Sequence, residues 1–373
     1  MHVVGLMSGT SLDGIDAALV EISSDLKCKF VAGCSLDYSD GMRKKIRQLF
    51  EPMISPKFLC EMNFLLGEYF AQAAEKLYTM TGIKPDLIGS HGVTFYHNPI
   101  NEKFEGLPLK STMQLGEGAI IAERTGITTV CDFRPQDIAA GGEGAPLVPF
   151  ADRVFFFDPN ICRVILNLGG IANVTVLSSQ CDVFAFDTGP ANMLIDAAMR
   201  KFFNKDFDKN GEIAKSGKVN MDLLSILLQE PYLQLTPPKS TGRELFGYEY
   251  LDKILSLTDD APKNIVATLT AFTVKSIKLA FDKFIFPQAP IHEIVLGGGG
   301  AYNLYMKELF EKEFASLPKI KTHEDFGISN KYKEAIAFAL LAYCTYNNTP
   351  NNIKTATGAV KDVILGKIIR KEV

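Results

Sequence analysis

The sequence has no run of about 18 consecutive apolar residues, the length a membrane-crossing helix needs. No membrane span is therefore expected. Met1-His2 leads straight into an apolar stretch, with no charged segment followed by an apolar one, so no secretory signal is expected either. Basic charge is not in excess: 39 Lys and Arg stand against 43 Asp and Glu, a net −4. That balance argues against a nucleic-acid footprint. The basic stretch Lys367-Ile368-Ile369-Arg370-Lys371 reads as a solvated end. Paired cysteines are also lacking. Cys28, Cys34, Cys60, Cys131, Cys162, Cys181 and Cys344 are scattered, odd in number and without a C-x-x-C. They read as free thiols of a cytoplasmic protein.

Two common nucleotide motifs are missing. Gly211-Glu212-Ile213-Ala214-Lys215-Ser216-Gly217-Lys218-Val219 approaches a Walker A loop, but it is one residue too long and has Val where Ser or Thr must hold Mg²⁺. No G-x-G-x-x-G follows a strand, which leaves a Rossmann site unsupported. His2, His292 and His323 give His91 and His97 no metal-ligand spacing, so a hydrogen-bonding role suits those two better.

What is present is a globular α/β chain. Its 373 residues exceed what one core usually holds, and two domains are expected. The N-terminal segment Val3 to Ile22 reads as a hairpin around a chemically loaded turn. A plain hairpin turn needs two or three residues. Here the polar stretch runs from Ser8 to Asp16. Gly9 and Gly14 permit close backbone approach, and Ser8, Thr10 and Ser11 supply hydroxyls. Exposed N–H groups can form an anion nest. Asp13 and Asp16 would repel a bare phosphate but suit one carried with Mg²⁺.

The pattern then restarts. Val164 to Leu177 is a second strand, glycine turn and strand, through Asn167-Leu168-Gly169-Gly170-Ile171. In both halves a hairpin is followed by helix and by a strand ending in glycine: Asp86 to Ser90, then Ile291 to Leu296 before Gly297-Gly298-Gly299-Gly300. This weak repeat predicts two similar α/β domains facing a cleft. Helices are expected over 41–50, 63–79, 116–124, 264–284 and 332–346, and the last twenty residues should return to the first domain. Ala139 to Pro146 is too glycine-rich for an element and reads as a functional loop.

Several residues carry two readings. Gly297 to Gly300 either admits a nucleotide or makes a tight turn. Asp187, ending an apolar strand before Pro190, is either a general base or an N-cap. Arg134 and Arg243 are anion contacts or surface ion pairs. Glu334 opens the final helix, where a carboxylate suits the helix dipole regardless of function.

Taken in order, these segments resemble the anhydro-N-acetylmuramic acid kinase family, within the acetate/sugar kinase–Hsp70–actin superfamily. The resemblance spans the chain: Gly5-Leu6-Met7-Ser8-Gly9-Thr10-Ser11-Leu12-Asp13-Gly14-Ile15-Asp16, Asp132-Phe133-Arg134, Gly141-Gly142-Glu143-Gly144-Ala145-Pro146, Asn167 to Asn173, Asp187-Thr188-Gly189-Pro190, Pro238-Lys239-Ser240-Thr241-Gly242-Arg243-Glu244, Gly298-Gly299-Gly300 and Glu334-Ala335-Ile336-Ala337. It implies two actin-like (RNase H-like) domains, each a five-stranded mixed sheet with flanking helices, around a nucleotide cleft. Domain I would be 1–126 with 348–373, and domain II 127–347. It implies ATP with Mg²⁺, a small anhydrosugar substrate, and a homodimer without nucleic-acid or membrane partners. Gly9, Thr10, Ser11, Leu12, Asp13, Gly14, Ile15 and Asp16 would hold phosphates, with Asn167, Gly169 and Gly170 in the facing turn and Gly298, Gly299 and Gly300 beside the adenosine. Asp187 would be the base, while His91, Thr94, Arg134 and Glu334 would face the sugar. The implied reaction opens the anhydro bridge with water and phosphorylates O6, in murein turnover.

Three positions depart from the family's pattern: Val93 for Gln, Ala191 for Gly, and Lys331 for an acidic residue. Val93 motivates an alternative acceptor such as levoglucosan. A non-catalytic nucleotide- and sugar-binding protein is the remaining alternative.

Overall fold

The computed structural model describes residues 1–9, 13–51, 53–315 and 319–370, without the side chains of 100–102, 108 and 244. Thr10, Ser11 and Leu12 of the first turn lie outside the described residues. The chain folds as two compact units, 1–155 with 327–373, and 156–326. The strands in chain order are β1 (His2–Met7), β2 (Gly14–Ile22), β3 (Cys28–Asp37), β4 (Leu87–Ser90), β5 (Val93–Phe104), β6 (Leu107–Leu115), β7 (Thr129–Cys131), β8 (Arg163–Leu168), β9 (Ile171–Leu177), β10 (Phe184–Pro190), β11 (Glu293–Gly297), β12 (Lys319–Thr322) and β13 (Lys367–Ile369).

Unit 1 is built on a sheet of order β13-β7-β4-β1-β2-β3. The hairpins β1/β2 and β2/β3 are antiparallel, while β4 runs parallel to β1 and β7 parallel to β4. Val3, Val4 and Leu6 of β1 are fully buried, as suits a central strand covered on both faces. The helix Pro56–Thr81 packs its Leu66, Phe70, Ala73 and Leu77 into this core. Its start is set by Ser55, whose side chain accepts from the N–H of Phe58, with Pro in the first turn, and it stops at a left-handed Gly82. The helix Lys333–Tyr346 buries every residue from Ala335 to Ala342. It lies against bare strand backbone. A Cβ added at Gly5 would collide with the carbonyl oxygen of Ala335, and one at Gly89 with that of Phe338. Both glycines are therefore dictated by the helix–sheet approach. The β5/β6 pair forms a separate two-stranded ribbon that the sequence reading did not anticipate.

Unit 2 repeats the plan with order β10-β9-β8-β11-β12. Again two antiparallel hairpins are followed by two parallel strands. The helix Pro262–Ala280, extended by one π turn to Ile285, fills its core with Ile265, Leu269, Phe272 and Phe281. By length and composition this stretch could cross a membrane, but 78% of its apolar window is buried inside the protein. It is the core helix of unit 2.

Two expectations change. The first sheet has six strands rather than five, because β13 pairs antiparallel with β7. That pairing is also how the end of the chain returns to unit 1. The units part near 155 and 327 rather than at 126 and 347. The reason is hydrogen bonding and packing: β7 pairs with β4, and the final helix is needed to cover Gly5 and Gly89. All seven cysteines are free thiols, as expected.

Candidate active site

The first turn is held from behind. Ser8 is buried, donates its hydroxyl to the carbonyl of Gly14 at 2.9 Å and accepts from the hydroxyl of Tyr38 at 3.2 Å. That hydroxyl staples Gly14 and Tyr38 to the end of β1. The side chain of Ile15 is fully buried, so only its backbone can meet a ligand. Gly14 is required by β3, since a Cβ there would lie 2.5 Å from the carbonyl oxygen of Leu36. Among the described residues nothing comes within 4 Å of a Cβ added at Gly9. Asp16 accepts from Ser35 at 2.6 Å. Burial pushes its carboxyl above the usual range, while Ser35 and Lys331 oppose the shift and Asp37 adds to it.

Unit 1 brings Asp16, Glu334, Arg134 and His91 into one electrostatic neighbourhood. Glu334 shows surface to solvent at the head of the final helix, yet surrounding atoms desolvate it and push its carboxyl up. Lys333 and Arg134 counter that rise, and Asp16 reinforces it. Lys333 anchors the helix start by a buried ion pair with Asp152 at 2.6 Å. Arg134 donates to the Nε2 of His91 from both Nε and Nη2, at 3.2 and 3.0 Å, and from Nη1 to the carbonyl of Gly144 at 3.0 Å. A guanidinium only donates, so His91 Nε2 must be the bare nitrogen and Nδ1–H points to the Gly92 carbonyl, 2.9 Å away. Burial and the Arg134 charge push the His91 pKa down to about 3, so the imidazole is neutral and orients the arginine. Burial lowers Arg134 to about 10, still a cation at neutral pH, with Glu334 opposing the fall. Thr94 lies on β5, opposite Gln114. Val93 is buried in the core of unit 1. The residue that motivated a different acceptor is thus a packing residue.

Sequence reasoning missed Asp137, which organises the glycine loop. Fully buried, it accepts from Gly144 N–H at 2.8 Å and from the Thr357 hydroxyl at 2.7 Å. A Cβ on Gly142 would strike its carboxylate. Because Gly144 in turn supplies the carbonyl that holds Arg134, Asp137 fixes the arginine at one remove. The available signal was an acidic residue three positions after Arg134 and just before a run of glycines.

In unit 2 the β8/β9 turn is tight, with Leu168 opposite Ala172 across Gly169-Gly170. The side chain of Asn192 donates to the carbonyls of Leu168 and Gly169, each at 2.9 Å. Asn167, Leu168 and Gly298 are brought together: a Cβ on Gly298 would lie 2.7 Å from both Asn167 Oδ1 and the Leu168 carbonyl. Gly297 is packed under His323, and a Cβ on Gly300 would lie 2.7 Å from Leu168 Cβ. Three of the four glycines thus have packing reasons. Gly299 meets only Asn192 Nδ2, at 3.9 Å, and keeps an open face.

Asp187 does not cap a helix. It lies within β10 opposite Asn173, just before a register shift, while the next helix starts at Asn192 with Ala191 as its N-cap. Ala191 is buried, its N–H donates to Gly170 and its carbonyl accepts from Thr273, so this departure from the family pattern is absorbed in the core. The carboxylate of Asp187 accepts from Thr241 N–H at 2.9 Å. Its backbone donates to the Lys239 carbonyl at 3.1 Å and accepts from the Tyr232 hydroxyl at 2.9 Å. Lys331 is exposed, with its ammonium 5.1 Å from the ring of Tyr332.

The repeated strand order, with a polar turn after β1 in unit 1 and a carboxylate within β10 in unit 2, is that of an α/β protein built from two like-ordered units. The family model for anhydro-N-acetylmuramic acid kinase matches residues 1–371. The chain is 46% identical over 383 residues to the anhydro-N-acetylmuramic acid kinase of Caldanaerobacter subterraneus subsp. tengcongensis, covering 98% of this chain and 96% of that one. It is 43% identical to the Bacillus cereus (strain AH187) protein of the same name, covering 99% of each. This chain belongs to the anhydro-N-acetylmuramic acid kinase family. Among solved structures, component A of Acidaminococcus fermentans (R)-2-hydroxyglutaryl-CoA dehydratase is 12% identical, with a TM-score of 0.47 over 92% of this chain and 98% of that one.

Proposed function

We propose that this chain uses ATP and water to convert 1,6-anhydro-N-acetylmuramic acid to N-acetylmuramic acid 6-phosphate. The observation that carries the reading is Asp187, a carboxylate within β10, beside its register shift, fixed by the Thr241 N–H in a chain of this family. Asp187 takes a proton from the water whose oxygen attacks C1 of the sugar. The C1–O6 bond breaks, O6 keeps its electron pair and attacks the γ-phosphorus, and the bond from that phosphorus to the bridging oxygen breaks to release ADP. Ring opening supplies the electron pair, so O6 needs no second base. Asp187 works as the base of an inverting glycosidase works, and returns its proton to solvent after turnover.

The neutral His91 holds Arg134 so that its remaining N–H groups can meet acceptors on the sugar. Glu334, with its raised carboxyl, accepts from or donates to sugar hydroxyls. The first turn receives phosphate oxygens, and no described residue crowds Gly9. Asp13 and Asp16 would hold Mg²⁺, and the desolvated carboxyl of Asp16 fits that task because a nearby dication would relieve it. Mg²⁺ there supplies charge neutralisation on the transferred phosphoryl group.

The deciding experiment mixes the protein with Mg-ATP, the anhydrosugar and ¹⁸O-water, with mass spectrometry of the product. A phosphorylated sugar carrying one ¹⁸O is expected. Phosphorylated sugar without ¹⁸O would remove the hydrolytic step, and no product would remove the substrate.

A further inference from the structure

β10 is the outermost strand of its sheet, with β9 on one side only. Its other edge would expose unpaired backbone groups beside Asp187. The stretch Lys239–Thr241 occupies that edge. It accepts the Asp187 N–H through the Lys239 carbonyl and, two residues on, donates the Thr241 N–H to the Asp187 carboxylate. This stretch lies outside the described helices and strands, so it needs an anchor of its own.

The anchor is the Lys239 side chain. Its ammonium donates to the carbonyls of Tyr232 and Leu233, each at 3.2 Å. It also sits 4.9 Å from the ring centres of Tyr232 and Phe284 and 5.8 Å from that of Phe186, the residue before Asp187. Tyr232 closes the circuit by donating its hydroxyl to the Asp187 carbonyl at 2.9 Å. Each member thus touches the other two. We propose that Lys239 and Tyr232 are positioning residues for Asp187, fixing the edge stretch whose Thr241 N–H aims the carboxylate. The proposal rests on the reading of Asp187 as the base. A cation lodged among three aromatic rings gives up water: burial lowers the Lys239 pKa to about 8, Lys283 adds to the fall and Asp187 opposes it. A surface lysine would avoid that cost. Aromatic faces and two carbonyls compensate it here, and the geometry they fix converges on one carboxylate.

Lys239→Met keeps the side-chain length and the packing but loses the donor, and Tyr232→Phe keeps the ring but loses the hydroxyl. Both are assayed in the full chain with Mg-ATP and 1,6-anhydro-N-acetylmuramic acid. Lys239→Met should lower kcat by at least about tenfold, and Tyr232→Phe by a few-fold, with KM for either substrate within about twofold, because a misaimed base slows chemistry without loosening binding. In an Asp187→Asn background Lys239→Met should add no further loss. Wild-type kcat in a folded Lys239→Met, or the same loss in both backgrounds, overturns the proposal. If Lys239→Met does not fold, Tyr232→Phe decides: wild-type kcat overturns the proposal and lower kcat at unchanged KM supports it. Asp187→Asn alone tests the parent reading, since wild-type turnover there removes the base itself.

Discussion

The two units share a strand order but solve the same packing problem in opposite ways. At corresponding places on the parallel central strands, unit 1 pairs Gly5 with Gly89, and unit 2 pairs Leu166 with Leu296. In unit 1 the missing side chains let the helix Lys333–Tyr346 lie on strand backbone, which sets the depth of Glu334 at its head. In unit 2 side chains fill the space, and the functional groups are held by hydrogen bonds: Asn192 on the turn, Thr241 and Tyr232 on Asp187. The lesson is that one architecture can place its site residues by close approach of elements or by polar staples. The two respond to different mutations.

The largest effect should be on chemistry. Asp187→Asn is expected to reduce turnover by about 10³-fold with ATP affinity retained, measured by steady-state kinetics and calorimetry; near-normal turnover would sink the base assignment. Next come the two central pairs, which should break under opposite changes of size. Leu166→Ala leaves a cavity and should cost about 3 kcal/mol, whereas Gly5→Ala overpacks a backbone contact and should cost about 2 kcal/mol or more. Denaturant titration reads both. If Gly5→Ala is neutral, the helix is free to shift and the contrast between the units fails. Gly5→Ala should also raise KM for the sugar, while Leu166→Ala should not.

Asp137→Ala strands the buried donors of Gly144 and Thr357, for about 2 kcal/mol of stability. Its kinetic trace should be a higher KM for the sugar, because the Gly144 carbonyl that holds Arg134 is released. An unchanged KM would separate the glycine loop from the arginine.

The last effect concerns pH and emerges only as the solution is acidified. The folded pKa of His91 lies below its ordinary value, at about 3, so the unfolded chain takes up the proton first. Stability linked to His91 is therefore full above about pH 6.5 and declines as pH falls toward 3. His91→Asn should flatten the stability profile between those limits, as read by thermal melts across that range. A profile as steep as the wild type's would mean that His91 is not the group responsible.

Much of this was legible in the sequence because local order carries it. The hairpins, the parallel strands and the helices near 63–79, 264–284 and 332–346 follow from apolar patterning and punctuation, and their observed bounds lie within a few residues except at Pro56, where the first of these helices starts about two turns early. The placement of Asp187 on an apolar strand was readable for the same reason, although that strand runs on to Pro190 rather than ending at the carboxylate. Less legible was anything decided between distant segments. Asp137 matters through Thr357, which lies 220 residues away. Lys239 matters through rings at Phe186 and Phe284, and no periodicity marks it. The unit boundary near 155 was not legible because the pairing of β7 with β4 joins segments far apart in the chain. The tie between Ser8 and Tyr38, 30 residues apart, was likewise invisible to local patterning.

The interrupted path of unit 1 has a consequence for the order of assembly. Unit 2 is one continuous stretch, 156–326, whereas unit 1 needs 327–373 to complete it. A ribosome therefore delivers everything unit 2 requires before it delivers the helix that covers Gly5 and Gly89 or the strand that closes the edge of β7. The first sheet to be synthesised is the last to be sealed. We expect nascent chains arrested once unit 2 has cleared the exit tunnel, but before residue 333 has, to resist protease across unit 2 while remaining cleavable in β1 to β4. Protection of both units at that length would show that the early sheet stands without its late cover.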